Sequence, residues 1–183
     1  MTPTTRTFAV AATAALALAL AACSSPAAPA SSPSSASPTA TSAAGCTGVT
    51  VIVDTGDLKV ANGPSETKCI DTTTTILGKD AAAKAGITTV GTTKYPDQVV
   101  CRVNGVPSAT TDLPGAHGST YHEACTGMPP ASAYWSLWVK PKAGKWDYAQ
   151  TGLSALQLKP GDSVELLFTL NGKPASPAPT PTS

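Results

Sequence analysis

The sequence predicts an α+β domain, with one helix packed on a mainly antiparallel sheet and two disulfides. Three observations predict it. Short β-branched and aromatic runs, punctuated by Gly, Pro, Asn and Asp, recur from residue 49 to residue 170. Only one segment carries a helical apolar period. Four cysteines remain once the one closing an apolar leader is set aside, an even number that suits an exported, oxidised chain.

Val49 to Asp54 (VTVIVD) is a β-branched strand, ended by the turn Asp54-Thr55-Gly56-Asp57. Lys68-Cys69-Ile70 is a short second strand. Thr75 to Ala85 (TILGKDAAAKA) is the helix: Ile76, Leu77, Ala81 and Ala85 share a face, a Thr or Asp71 offers an N-cap, and Gly86 stands at the C-cap. Ile87 to Thr92 and Val99 to Val103 are further strands, the latter closed by Asn104-Gly105. Val106 to Ser132, with Pro107, Pro114, Pro129 and Pro130, reads as one long loop. Tyr134 to Val139 and Lys145 to Ala149 face each other across Lys140 to Gly144. Leu156 to Leu158 and Ser163 to Leu170, joined by Pro160-Gly161-Asp162, read as the last strand pair. One helix among so many strands belongs on one sheet face.

The foldable part, 46–172, is preceded by an address. Arg6 and the uncharged run Phe8 to Leu20 read as an export leader over 1–22, too short to span a membrane, which takes about 20 apolar residues. It ends in Leu20-Ala21-Ala22-Cys23, which resembles the bacterial lipobox, and this implies lipidation of Cys23. Residues 23–45 are Ala, Ser, Pro and Thr with almost no apolar bulk, a disordered tether, and 173–183 (KPASPAPTPTS) has the same character. The expected location is the outer face of the cytoplasmic membrane, held by the lipid.

Composition excludes some partners. The chain has 12 Lys+Arg against 11 Asp+Glu, and loss of Arg6 with the leader makes the balance 11 against 11. A neutral chain with 13% charged residues lacks the basic footprint of a nucleic-acid binder.

Cys46, Cys69, Cys101 and Cys125 allow three pairings. The pairing of sequence neighbours, Cys46 with Cys69 and Cys101 with Cys125, closes two loops of about 25 residues, each contributing on the order of 3 kcal/mol. No C-x2-C pair supports a zinc site. No catalytic motif is present either. His117 and His122 lie in a Pro/Gly-rich loop, and Ser119, His122 and Glu123 make a triad only on paper. Asp54 and Asp57 lack the calcium-loop register. The domain is therefore expected to be non-catalytic, without a metal.

The aromatics are the informative feature. Five of the nine fall between Tyr134 and Tyr148. Along a strand, Trp135, Leu137 and Val139 share one face, and Tyr134, Ser136 and Trp138 share the other. One face is core. The other is either a second buried layer or a platform for a flat or apolar ligand, which makes Tyr134, Trp138, Trp146 and Tyr148 the candidate binding residues. Parity leaves the side of Trp146 and Tyr148 open.

The pieces Cys101-Arg102-Val103-Asn104-Gly105, Tyr134-Trp135-Ser136-Leu137-Trp138, Lys145-Trp146-Asp147-Tyr148 and Pro160-Gly161-Asp162-Ser163-Val164, in this order after Cys69, carry a resemblance. The chain resembles bacterial exported proteins with a transcobalamin-like C-terminal domain, the DUF4430-type module, similar to the β-domain of intrinsic factor and transcobalamin. The resemblance implies a small β-grasp-like, ubiquitin-like fold and the neighbour pairing of the cysteines. For function it implies a ligand-binding lipoprotein, with cobalamin or a related cobalt compound as ligand and a membrane transporter as partner; the domain is expected to be a monomer. The helical barrel that completes the vertebrate site has no counterpart in this sequence. An envelope protein-interaction module is the alternative, and a disulfide-stapled protease inhibitor presenting Val106 to Met128 is the third reading.

Overall fold

The computed structural model describes residues 45–60 and 63–171. The expectations for the leader 1–22, for Cys23, for the tether before Gly45 and for 173–183 lie outside the described residues. In chain order the elements are β1 (Val49–Asp54), β2 (Glu66–Ile70), β3 (Ile76–Leu77), α1 (Gly78–Lys84), β4 (Thr89–Gly91), β5 (Val100–Val103), β6 (Leu113–Pro114), β7 (Thr120–Tyr121), β8 (Ala133–Lys140), β9 (Asp147–Tyr148), β10 (Gln157–Leu158) and β11 (Ser163–Leu170).

Five strands form the main sheet in the order β2-β1-β11-β8-β9. Its central pair, β1 and β11, is parallel, with Val51 opposite Val164, and the other three pairings are antiparallel. The last strand occupies the middle because both of its faces are apolar or buried. Val164, Leu166 and Phe168 point to one side, and Glu165, Leu167 and Thr169 to the other. On the first side they join Val49, Val51, Val53, Ala133 and Trp135, and Ala81 and Ala82 of α1 close the same core. The mixed α+β class and the two cysteine pairs agree with the sequence.

The helix is shorter than the apolar period suggested. Ile76 and Leu77 pair with Leu158 and Gln157 as a two-residue ladder, so α1 starts at Gly78 with Leu77 as an extended N-cap. No Thr or Asp side chain caps it. Instead the carbonyls of Leu156 and Leu153 accept the Gly78 and Lys79 N–H groups at 2.8 and 3.0 Å. A Cβ on Gly78 would meet the Leu153 oxygen at 2.9 Å, so this close approach requires glycine. The C-terminus follows expectation. Gly86 has φ +78°, its N–H donates to Ala83, and Ile87 donates to Ala82, the paired bonds of a Schellman end.

Two pairings differ from the sequence reading. Gln157–Leu158 does not pair with Ser163–Leu170; it pairs with β3. The Pro160-Gly161-Asp162 turn explains the parting. Gly161 N–H donates to the Gly48 carbonyl and Thr50 N–H to the Asp162 carbonyl, so the turn docks on the start of β1 and launches β11 beside it. The second difference lies in 106–132, which is not one long loop. It contains a small hairpin of β6 and β7 around a 3₁₀ turn at Ala116–Gly118.

The cysteines pair as neighbours, Cys46 with Cys69 and Cys101 with Cys125, each with Cα atoms 5.6 Å apart. The first ties the chain before β1 to β2, and the second ties β5 to the segment after β7. Replacing Cys46 and Cys69 together by Ser is expected to lower unfolding free energy by about 3 kcal/mol, given loops of this length. Urea denaturation of the double variant checks this.

Candidate functional site

Aromatic residues of β8 and β9 divide between two environments. Trp138 and Tyr148 are directly opposite one another and stack with centroids 3.9 Å apart at 27°. Tyr148 therefore lies on the Trp138 face, which parity alone left open. That face is the one away from α1. A row crosses all five strands on it: Thr67, Ile52, Glu165, Trp138, Tyr148. Trp138 is only 4% exposed. Its indole N–H donates to Ser136 Oγ at 3.0 Å, and that hydroxyl donates to the Leu167 carbonyl at 2.8 Å. Trp138 is thus fixed in the sheet. On the core face, Trp135 meets Phe168 edge-on at 5.1 Å and donates its indole N–H to the Val106 carbonyl at 3.0 Å.

Tyr134 and Tyr148 line a cleft of about 630 Å³. β9 pairs with β8 only at Trp138 and Val139, and Tyr134 to Leu137, the part of β8 before that pairing, line the cleft. Val99 and Val100, Met128 and Pro129, and the segment from Ala149 to Leu153 also line it. No charged side chain lines it; Gln98, Gln150 and the tyrosines supply the side-chain polarity apart from Ser136 and Thr151. Its size and apolar walls fall in the range of small-molecule sites. Of the four candidates, Tyr134 and Tyr148 are in the wall, whereas Trp138 lies behind Tyr148 and Trp146 is outside the lining. Trp146 is half-buried, and its buried indole N–H has no acceptor among the described residues.

Sequence reasoning missed the rest of the cleft. Its lining comes from five separate stretches of the chain, and only Gly152 carried a local signal. A Cβ there would lie 2.6 Å from Gln98 Cα and 2.7 Å from the Asp97 oxygen. Gly152 thus lets its own segment approach residues 97–98 closely. Gly152→Ala is expected to force the two apart and destabilise the domain by about 1–3 kcal/mol, seen as a lower melting temperature.

Two ionisable clusters complete the picture. Glu165 is 4% exposed, and burial followed by the charge of Asp54 pushes its carboxyl up to about 8. Glu123 is also buried; its carboxylate accepts the Cys125 N–H at 2.6 Å and the Tyr121 hydroxyl at 2.8 Å. Burial and the Glu123 carboxylate push Tyr121 up to about 12. Arg102 donates to the carbonyls of Pro107 and Glu123, tying β5 to both ends of the loop. The paper triad is dispersed: Ser119 Oγ donates to the Ala116 carbonyl, His122 pairs with Asp112 at 2.6 Å, and Glu123 turns to Tyr121 and Cys125. Asp54 Oδ1 accepts the Gly56 N–H at 2.7 Å, an ordinary Asx turn. The carboxylate of Glu123 lies within 4.8 Å of the Cys101 and Cys125 sulfurs, which are bonded to each other.

The fold and cleft define a class: a disulfide-stapled α+β domain with an uncharged cleft at a sheet edge. Against protein-family models, curated proteins and solved structures, the chain finds no match.

Proposed function

We propose that the protein is a non-catalytic, lipid-tethered binding domain whose cleft captures an apolar small molecule outside the cytoplasmic membrane. The observation that carries this reading is the cleft itself: about 630 Å³, uncharged, and walled by Tyr134 and Tyr148 against Val99 and Val100. A β-grasp-like fold is part of the proposal. The strand order β2-β1-β11-β8-β9, with a parallel central pair and the helix following β2 and β3, supports it. Cobalamin or a related cobalt compound is the first ligand to test, on the resemblance of the Tyr134 to Trp138 strand, and a membrane transporter would then receive it. The domain works as a monomer in this reading.

Calorimetric titration of the domain with cobalamin and with cobinamide tests the proposal. Saturable binding is expected, weakened about tenfold by Tyr134→Ala in a protein that still folds, equivalent to about 1.4 kcal/mol. Absence of heat with either compound overturns the cobalt reading. A second reading, a protein-interaction module, is favoured by one observation: among the described residues no strand pairs with the β9 side of β8 before Trp138, and such an edge is a template for another chain.

A further inference from the structure

The main chain of β8 before Trp138 carries recognition groups of its own. The Ser132 carbonyl accepts the Asn171 N–H on the β11 side. Backbone groups alternate along an antiparallel strand, so Tyr134 and Ser136 turn theirs to β11, and Trp135 and Leu137 turn theirs to the opposite side. On that side β9 pairs with Trp138 and Val139, and no other strand among the described residues pairs there. Trp135, Ser136 and Leu137 line the cleft together with Tyr148 to Leu153, the chain that leaves β9. This edge therefore presents the Trp135 N–H, the Trp135 carbonyl and the Leu137 N–H to the cleft.

The edge is short, and the chain itself sets both of its ends. The Leu137 carbonyl accepts the Ala149 N–H at 3.0 Å, and β9 takes over from Trp138. At the other end the Ala133 N–H donates to the Pro130 carbonyl at 3.1 Å. From Trp135 to Leu137 the strand rises about 7 Å. A long strand of another protein would run into one closure or the other, whereas about three extended residues fit between them. Two donors and one acceptor at strand spacing suit a peptide main chain. In either direction, the peptide supplies one N–H to the Trp135 carbonyl and two carbonyls to the Trp135 and Leu137 N–H groups.

We propose that the cleft binds a short extended peptide, about three to five residues long, that adds to β8 at Trp135 and Leu137. The proposal rests on the reading of the cleft as a ligand site and names the class of ligand. The lining carries no charged side chain, so the side chains of the peptide are uncharged. A cleft of about 630 Å³ lined by Val99, Val100 and Leu153 suits apolar ones. Hydrogen bonds to the main chain give affinity without reading side chains, so the site accepts a set of peptides rather than one sequence.

Calorimetric titration of the full-length, oxidised chain with a blocked tripeptide, acetyl-leucyl-valyl-alanine amide, tests the proposal. Three analogues, each N-methylated at one residue, are titrated beside it. Saturable binding of the parent peptide is expected. Methylating the N–H that faces Trp135 should weaken binding about tenfold or more, and methylating its sequence neighbour should leave it nearly unchanged. Apolar packing alone would not give this period of two. In the complex, exchange at the Trp135 and Leu137 amides should slow about tenfold, with Ser136, already turned to β11, unchanged. Equal binding by all four peptides overturns the proposal, as does binding by none. Cobinamide separates the two levels: if it binds where the peptides do not, the cleft remains a ligand site and only the peptide class falls. A twelve-residue peptide with the same core that binds more than about tenfold tighter overturns the short length and assigns the edge to a partner protein.

Discussion

Stability is expected to fall as pH rises from about 4.5 to about 8, with Glu165 as the cause. Its carboxyl titrates near 8 in the folded domain against an ordinary 4.5, through burial and then the charge of Asp54. Below the lower value both folded and unfolded chains are protonated, and the group contributes nothing. Between the two values the folded chain holds the proton and the unfolded chain has lost it, so raising the pH favours unfolding. Above about 8 the full penalty is present, about 5 kcal/mol at most for a shift of this size. The structural origin is plain. Glu165 sits on the central strand between Ile52 and Trp138 and is only 4% exposed. Urea denaturation at pH 5 and pH 8.5 checks the sign. Glu165→Gln is expected to flatten the dependence and to be more stable than the parent at pH 8.5. A variant that tracks the parent at both values would remove Glu165 as the source.

The second large effect is expected at Phe168. Phe168→Ala should lower stability by about 3–5 kcal/mol, the range for removing a buried aromatic side chain. Phe168 is 3% exposed, and its ring meets Trp135, the residue that anchors the 106 loop through its indole N–H. The loss therefore reaches beyond one cavity. Val90→Ala is the comparison, because Val90 is 45% exposed and should cost little. Equal effects of the two changes would contradict a core built on the Trp135 face.

Under the proposed reading, a ligand in the cleft would meet Tyr134 before Trp138. Tyr134 is accessible from the cleft, whereas Trp138 is locked by Ser136 and stacked under Tyr148. Fluorescence changes on titration would then report mainly through neighbours of Trp138, and binding energy would be sought at the tyrosines.

Much of the fold was legible because its signals are local. β1 matched the VTVIVD run residue for residue, and the Asn104-Gly105 turn appears with both residues at positive φ, 47° and 78°. Gly86 ended the helix through the backbone freedom its position needs. The alternation in Tyr134 to Val139 correctly grouped Trp135, Leu137 and Val139, which meet the core, although Ser136 and Trp138 on the other face are buried as well. The neighbour pairing of cysteines held as well.

Where the reading departed, a distant partner had decided the matter. Ile76 and Leu77 look helical by period, but a ladder with Gln157 and Leu158 claims them. Leu156 to Leu158 looked like the mate of the last strand, and the docking of Asp162 on the start of β1 sent that strand elsewhere.

The sequence by itself determined the class of the domain, its turns, its cysteine pairing and the alternation from Tyr134 to Val139, because each depends on local residue patterns. Tertiary structure alone decided that β11 lies between β1 and β8, that Tyr148 rather than Trp146 covers Trp138, and that Val99, Met128 and Gly152 complete a cleft with Tyr134. Those outcomes rest on hydrogen bonds and packing between segments far apart in the chain, where no local preference distinguishes one pairing from another.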